Sequence, residues 1–420
     1  MMFRKIAAAA LAAVMAVTAC GCSVKVGTNK KIKDTAVVAT AKGVDDKSLD
    51  ITYGDFRKEY VYWLKAKNYT DDSLETVAEE CKAQREDIIG YLINEKIILA
   101  EAAKLGIDKL SDEETLEIQE KFDSLVQQQV DYFASKAKAE TTEDGAELSE
   151  KDLEQRGNDD FDSYLADCGL TRDDLFLWQV SAYVSNKVLD EVTKDVVFTR
   201  EEAEKEFADI EATIEAAYKA NSLSYEQNST YTSLWLPEGS RRIKHILLGF
   251  EDTAADEISA LRTAGDDEAA DALRAEKAEA LAQQTQEVIN MLDNGGDFDE
   301  LINELSADKL GSSSMPDGYL VVPEGQTYMA EFQQKAMELP EVGAYDTCVT
   351  DYGVHIMLYA SDAVIPEEEK TEFIDYLYEQ MFANKKDVRF GEILDEWKAT
   401  YNYKIDYDAL KIDAPEAQAE

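Results

Sequence analysis

The chain reads as an α+β protein: a helical lobe, interrupted by an inserted module of mostly antiparallel sheet and completed by a C-terminal helix. Three observations lead there. From Ile51 to about Ala220 apolar side chains recur at helical spacing; near Pro237-Glu238-Gly239 that spacing breaks and strand-like runs begin; after Pro366 helical spacing returns. At 420 residues and 45% hydrophobic content, the chain can build more than one core. The organisation that follows is a leader (1–19), a tether (20–50), a helical domain (51–230), an inserted α/β module (240–362) and a returning helix with a polar tail (363–420). No internal repeat is visible.

Each element has a local reason. Thr52-Tyr53-Gly54-Asp55-Phe56 starts a helix, and Phe56, Tyr60, Trp63 and Leu64 follow on one face. The most strongly patterned helix is REDIIGYLINEKIILAEAAKLGID, with Ile88, Ile89, Leu92, Ile93, Ile97 and Ala100 on a broad face and Gly106 as its left-handed cap. Ser111 and Glu114 make a capping box for the next. The acidic stretch TTEDGAELSEKDLEQRGNDD reads as a loop or a solvated helix. Helical spacing resumes through FDSYLADCGLTRDDLFLWQVSAYVSNKVLDEV and again from Thr199-Arg200-Glu201-Glu202. Beyond the boundary, RRIKHILLGF is a strand, Ala255 to Leu292 one Ala/Glu-rich helix, and DNGGDFDELINELS a turn and short helix. YLVV and VTDYGVHIMLYA supply further strands, and a last helix carries Phe373, Leu377, Met381 and Phe382.

The charge balance excludes some partners. With 88 acidic residues against 43 basic ones, the net charge of −45 repels phosphate backbones, so nucleic acid is not an expected partner. The leader places Arg4 and Lys5 before an apolar run from Ile6 to Val17, the layout of an export signal. It closes on Val17-Thr18-Ala19-Cys20, which resembles the bacterial lipobox, with Cys22 a poorer second choice. A lipidated Cys20 would hold the mature chain on the outer face of the cell membrane, since two acyl chains anchor stably where one does not. An ordinary cleaved signal with a chance cysteine is the alternative. Cys81, Cys168 and Cys348 show no metal-type spacing and read as buried small residues. No metal and no cofactor is expected.

His245 and His355 are the only histidines in the chain. In a period-2 reading, Ile243, His245 and Leu247 share one face of their strand, and His355 shares another with Met357 and Tyr359. If the two strands are neighbours in one sheet, both imidazoles point into one space. A lone histidine in such a strand is ordinarily a hydrogen-bonded core residue, and two histidines without a third ligand make a poor zinc site.

The text around them resembles the parvulin family of peptidyl-prolyl isomerases across about Arg241 to Ala360. Lys244-His245-Ile246-Leu247 and Thr350-Asp351-Tyr352-Gly353-Val354-His355-Ile356 match the family's opening and closing strands. Between them, in order, stand Gly296-Asp297-Phe298-Asp299-Glu300-Leu301, Ser306-Ala307-Asp308, Asp317-Gly318-Tyr319-Leu320, and a helix with Phe332 followed by Gly343. The resemblance implies that His245, His355 and Asp308 form the catalytic hydrogen-bond network. It also implies that Leu320, Thr327, Tyr328, Phe332, Thr350 and Tyr352 lie about the proline-binding pocket. The chemistry is physical: rotation about an X-Pro bond faces a barrier of about 18–20 kcal/mol. A site lowers it by gripping proline in an apolar pocket and favouring the twisted amide. The family's Gly-Gly-Asp-Leu-Gly turn is here Pro316-Asp317-Gly318-Tyr319-Leu320, and its pocket methionine is replaced by Thr327 or Tyr328. A tyrosine can stack on a proline ring or fill its space, so peptide binding without turnover is an alternative.

The helix of Arg85 to Ile107, with Phe161-Asp162-Ser163-Tyr164-Leu165 and Gly169-Leu170-Thr171, resembles the SurA/PrsA-type chaperone domain. Taken with the leader and the returning helix, most of the mature chain resembles the extracytoplasmic foldase lipoproteins of that type. The implied partners are unfolded or newly secreted polypeptides containing X-Pro bonds, and the membrane through the N-terminal lipid. Homodimerisation stays open. An unrelated solute-binding lipoprotein is the remaining alternative.

Overall fold

The computed structural model describes residues 31–43, 48–69, 74–143, 148–308 and 314–412. The leader, Cys20, Cys22 and the start of the tether lie outside the described residues, as do part of the acidic stretch (144–147) and the polar tail from 413. Two compact units emerge: one from the segments up to Phe198 and from Phe382 onward, the other from Thr199–Met381.

Along the chain, β1 (Val37–Thr40) and β2 (Ile51–Thr52) come first. They correct the expectation of a plain tether as far as residue 50: Val38, Ala39 and Ala41 are buried, because β-branched and small apolar residues here pair into a sheet. Then follow α1 (Tyr53–Ala66), α2 (Ala78–Leu105), α3 (Asp112–Glu143), α4 (Glu150–Cys168), α5 (Arg172–Val192), α6 (Arg200–Ala220), α7 (Ser222–Glu226) and α8 (Ser229–Leu234). Thr52 with Asp55, and Thr199 with Glu202, close capping boxes at the starts of α1 and α6, and Ser111 with Glu114 does the same for α3. Next stand β3 (Arg241–Gly249), α9 (Asp252–Ala264), α10 (Asp267–Ala280), α11 (Ala282–Asp293), α12 (Phe298–Leu305), β4 (Tyr319–Val321) and α13 (Ala330–Glu338). The chain ends through β5 (Tyr345–Thr350), β6 (Gly353–Asp362), α14 (Glu367–Tyr401), β7 (Lys404–Ile405) and α15 (Tyr407–Leu410).

The single helix expected from Ala255 to Leu292 is three. Gly265 ends α9 at φ 76°, a conformation a Cβ disfavours, and the Asp266 side chain accepts from the Ala269 amide to start α10. Ala/Glu-rich composition on both sides hides this stop-and-start pair from a reading based on spacing.

In the first unit, Phe56, Leu64, Ile97, Leu165 and Phe390 sit in one core, each buried side chain contributing about 1.5–3 kcal/mol. The sheet there runs β2-β1-β7, all antiparallel. Cys81 and Cys168 are buried and unbridged; Cys348, in the second unit, is only half-buried. No helix among the described residues is long and apolar enough to cross a membrane.

The second unit is built on a four-stranded antiparallel sheet ordered β4-β3-β6-β5. Strand alternation divides its side chains. Ile243, Met357 and Tyr359 pack with Phe332, Ala336 and Leu339 of the α13 region; Ile246, Leu248, Val354 and Ile356 pack on the other face with Val288, Leu301 and Ile302. A third apolar group gathers Ile214, Tyr218, Tyr225 and Trp235 of the α6–α8 segment with Val322.

Candidate functional site

The β3–β6 register brings the two histidines together. His245 stands opposite Met357 and Leu247 opposite His355, so both imidazoles leave the same face of adjacent strands. Their Nδ1 atoms are 2.8 Å apart, with the rings nearly parallel at 10°. His245 Nε2 lies 2.9 Å from Asp308 Oδ2, and His355 Nε2 lies 2.8 Å from Thr350 Oγ1. The Tyr352 amide donates to Thr350 Oγ1 at 3.2 Å, and the Tyr319 hydroxyl donates to Asp308.

These contacts fit one proton arrangement. A carboxylate beside His245 Nε2 requires a proton on that nitrogen, which leaves Nδ1 of a neutral ring as an acceptor. His355 must then donate from Nδ1, and its Nε2 accepts from the Thr350 hydroxyl. The result is a chain in one direction: Tyr352 N–H, Thr350 O–H, His355, His245, Asp308. Burial holds both rings neutral. It pushes His245 down, against the opposing pull of Asp308, and pushes His355 down to about 3, helped by the neighbouring His245.

The local sequence explains each placement. Ser306 accepts from the Leu247 amide at 3.0 Å, and the Ala307 amide donates to the Leu247 carbonyl at 2.8 Å, so Ser306-Ala307 clips Asp308 against β3 beside His245. The β5–β6 turn is held from outside: Asp351 receives Arg262 at 3.0 and 3.1 Å and Arg274 at 3.3 Å, and Arg274 also meets Glu331 at 2.5 Å. That grip fixes the turn next to Thr350.

Aromatic rings surround the histidines. Phe332, buried on α13, meets both imidazoles nearly at right angles at 5.3 and 5.4 Å. Tyr319 stands edge-on to His245 at 5.1 Å and to Tyr328 at 5.9 Å, and Tyr328 lies 5.3 Å from Phe332. Burial raises the Tyr328 hydroxyl to about 12. The geometry therefore gathers His245, His355, Asp308, Thr350, Phe332 and Tyr328.

Three residues expected at the pocket stand elsewhere. Leu320 turns to the opposite side and packs with Ile214, Tyr225 and Val322, because alternation along β4 sends it away from its neighbour Tyr319. Thr327 is exposed, its amide turned toward Glu226. Tyr352 is 63% exposed at the turn, and only its backbone reaches the relay. Thr350 is buried and serves the relay through its hydroxyl rather than a substrate-facing surface. Sequence reading missed Tyr319. No sequence signal singled it out, because what puts it on the histidine face is its antiparallel pairing with Ile243.

One prediction follows from the buried neutral rings. A histidine whose folded pKa is depressed leaves stability intact above its unfolded value near 6.5 and drains it as pH falls toward the folded value, here about 3 for His355. Between those limits the loss is at most about 1.4 kcal/mol per pH unit per histidine. Melting of the wild-type chain from pH 7 to 4.5 should therefore fall more steeply than that of His355→Gln. Parallel slopes would show that protonation of this ring does not matter.

No family model matches the chain. It is 24% identical over 420 residues, 97% of either chain, to Foldase protein PrsA of Clostridium perfringens strain 13, and 24% identical over 423 residues to the protein of the same name from a second strain. Among solved structures, PrsA from Bacillus subtilis aligns at 16% identity over 92% of this chain and 96% of its own, with a TM-score of 0.22. Peptidylprolyl isomerase (PrsA) from Bacillus anthracis aligns at 17% identity over 76% and 99%, with a TM-score of 0.19. Those scores are too low for the superpositions to bear on fold or function. The sequence match spans nearly the whole of both chains, and it supports a PrsA-type foldase.

Proposed function

We propose that the chain is an extracytoplasmic protein-folding factor in which the module of residues 240–362 isomerises X-Pro bonds. In this reading a lipid on Cys20 anchors it to the membrane, and the helical unit, which ends at Phe198 and resumes at Phe382, holds unfolded clients. The observation that carries it is the unbroken relay from Thr350 through both histidines to Asp308, roofed by Tyr319, Tyr328 and Phe332. The full-length similarity to foldases points the same way.

The geometry suggests how such a site would act. Buried apolar rings would take the apolar proline ring out of water, which favours its binding there. The neutral relay keeps a formal charge off the imidazoles, so the pocket floor stays compatible with an apolar ring. As the amide twists, its carbonyl and nitrogen lose resonance, and fixed dipoles that favour the twisted form lower the barrier.

Tyr319 standing edge-on to His245, with Tyr328 beside it, favours a second reading, a module that binds peptide without turnover. One assay separates the two. The chain should accelerate cis–trans exchange of a proline-containing tetrapeptide in proportion to its concentration, against an uncatalysed exchange of tens to hundreds of seconds. Peptide binding with exchange at the background rate would leave only the binding module.

A further inference from the structure

The loop from β4 to α13 delivers Tyr328 and Phe332 to the site, and side chains outside the sheet hold its backbone. The Tyr218 hydroxyl donates to the Pro323 carbonyl, and Ser222 Oγ donates to the Glu324 carbonyl at 3.0 Å. The Gln326 amide donates to Glu226 at 2.7 Å, and the Thr327 amide reaches the other oxygen of the same carboxylate at 3.4 Å. From the α13 side, Gln333 donates to the Val322 carbonyl at 2.7 Å. The loop needs such support, because Glu324 sits at φ 56°, a left-handed conformation that side chains other than glycine disfavour. Behind it, Tyr225 is fully buried beside Val322, so α7 is a rigid base for its neighbour Glu226.

We propose that Glu226 is a positioning residue for the candidate site: its carboxylate fixes the Gln326-Thr327 backbone and so holds Tyr328 against Tyr319 and Phe332. This rests on the reading that the histidine-centred bowl takes X-Pro peptides. Glu226 makes no contact with the relay, so it acts on how peptide is gripped and leaves the hydrogen-bond chain beneath alone. A charge-assisted bond from a carboxylate to a backbone amide is among the stronger kinds, and only one residue supplies it here. Burial chiefly, and the nearby Glu226 charge next, raise the Tyr328 hydroxyl, which agrees with a carboxylate close to that ring.

The test compares Glu226→Ala, Glu226→Gln and Tyr218→Phe with the wild-type chain. Backbone hydrogen exchange is read at Gln326 and Thr327, and an X-Pro tetrapeptide supplies Kd by titration and kcat by isomerisation. E226A should speed exchange of both amides about tenfold or more. It should raise Kd about threefold to tenfold, with kcat within about twofold, the cost of losing one such bond. E226Q, whose amide oxygen still accepts, should recover most of the affinity, and Y218F should weaken binding by less than E226A. An unchanged Kd in E226A overturns the proposal even if the loop exchanges faster. Should E226A fail to fold, Glu226→Ser, which also removes the carboxylate, takes its place, and a wild-type Kd in that variant overturns the proposal. A wild-type chain that binds the tetrapeptide without turning it over sinks the isomerase reading and leaves the Kd comparison in force. Binding of no peptide by the wild type overturns both.

Discussion

His245→Ala should lower kcat/KM for an X-Pro tetrapeptide roughly a hundredfold, the scale on which a preorganised hydrogen-bonding group matters. His245 is the residue that touches both Asp308 and His355, so its loss cuts the relay in the middle. The His355 Nδ1 proton is then buried without its acceptor, at a cost of about 1–3 kcal/mol. Some stability will go with it, and the folded fraction must be measured on the same samples. A fall in activity no larger than the fall in folded protein, or a rate within threefold of wild type, would remove His245 from the proposed mechanism.

The second large effect is on stability. Gly353 opens β6 at φ 152°, between Gly249 on β3 and Thr350 on β5. A Cβ there would lie 2.2 Å from the Leu248 carbonyl oxygen and 2.9 Å from the Gly249 Cα. Both neighbours are backbone, so neither can swing aside. Relief requires β3 and β6 to part at the end that carries His355 two residues on. Gly353→Ala should therefore cost more than about 3 kcal/mol, in the range of substitutions that force a special backbone position. Chemical denaturation followed by fluorescence reads this directly. A denaturation midpoint equal to that of wild type would mean that the strands accommodate a methyl group, and that the turn is less constrained than its geometry implies.

Much of the candidate site could be placed from motifs that resemble those of the parvulin family in order and spacing. His245 and His355 could be placed on strand faces by alternation alone, and Ser306-Ala307-Asp308 by its resemblance to the family's segment. What could not be read was which of two adjacent residues turns inward. Tyr319 and Leu320 are both large and apolar enough for a pocket, and the β3–β4 register chose Tyr319. Glu226 gave no signal at all. It lies 100 positions from Gln326, in a five-residue helix, and acts on backbone amides, which carry no sequence identity.

The sequence by itself determined the local choices: the capped starts at Thr52, Ser111 and Thr199, the left-handed stop at Gly106, and the face of β3 that carries His245. Those depend on interactions within a few residues, and short-range patterns encode them. Only the tertiary structure decided that Val37–Thr40 joins a sheet, that Tyr319 rather than Leu320 meets the histidines, and that Arg262 and Arg274 hold the turn beside Thr350. The physical reason is common to all three. Register and charge pairing between distant segments are settled by the whole packed unit, where a one-residue change of strand register turns every side chain to the other face.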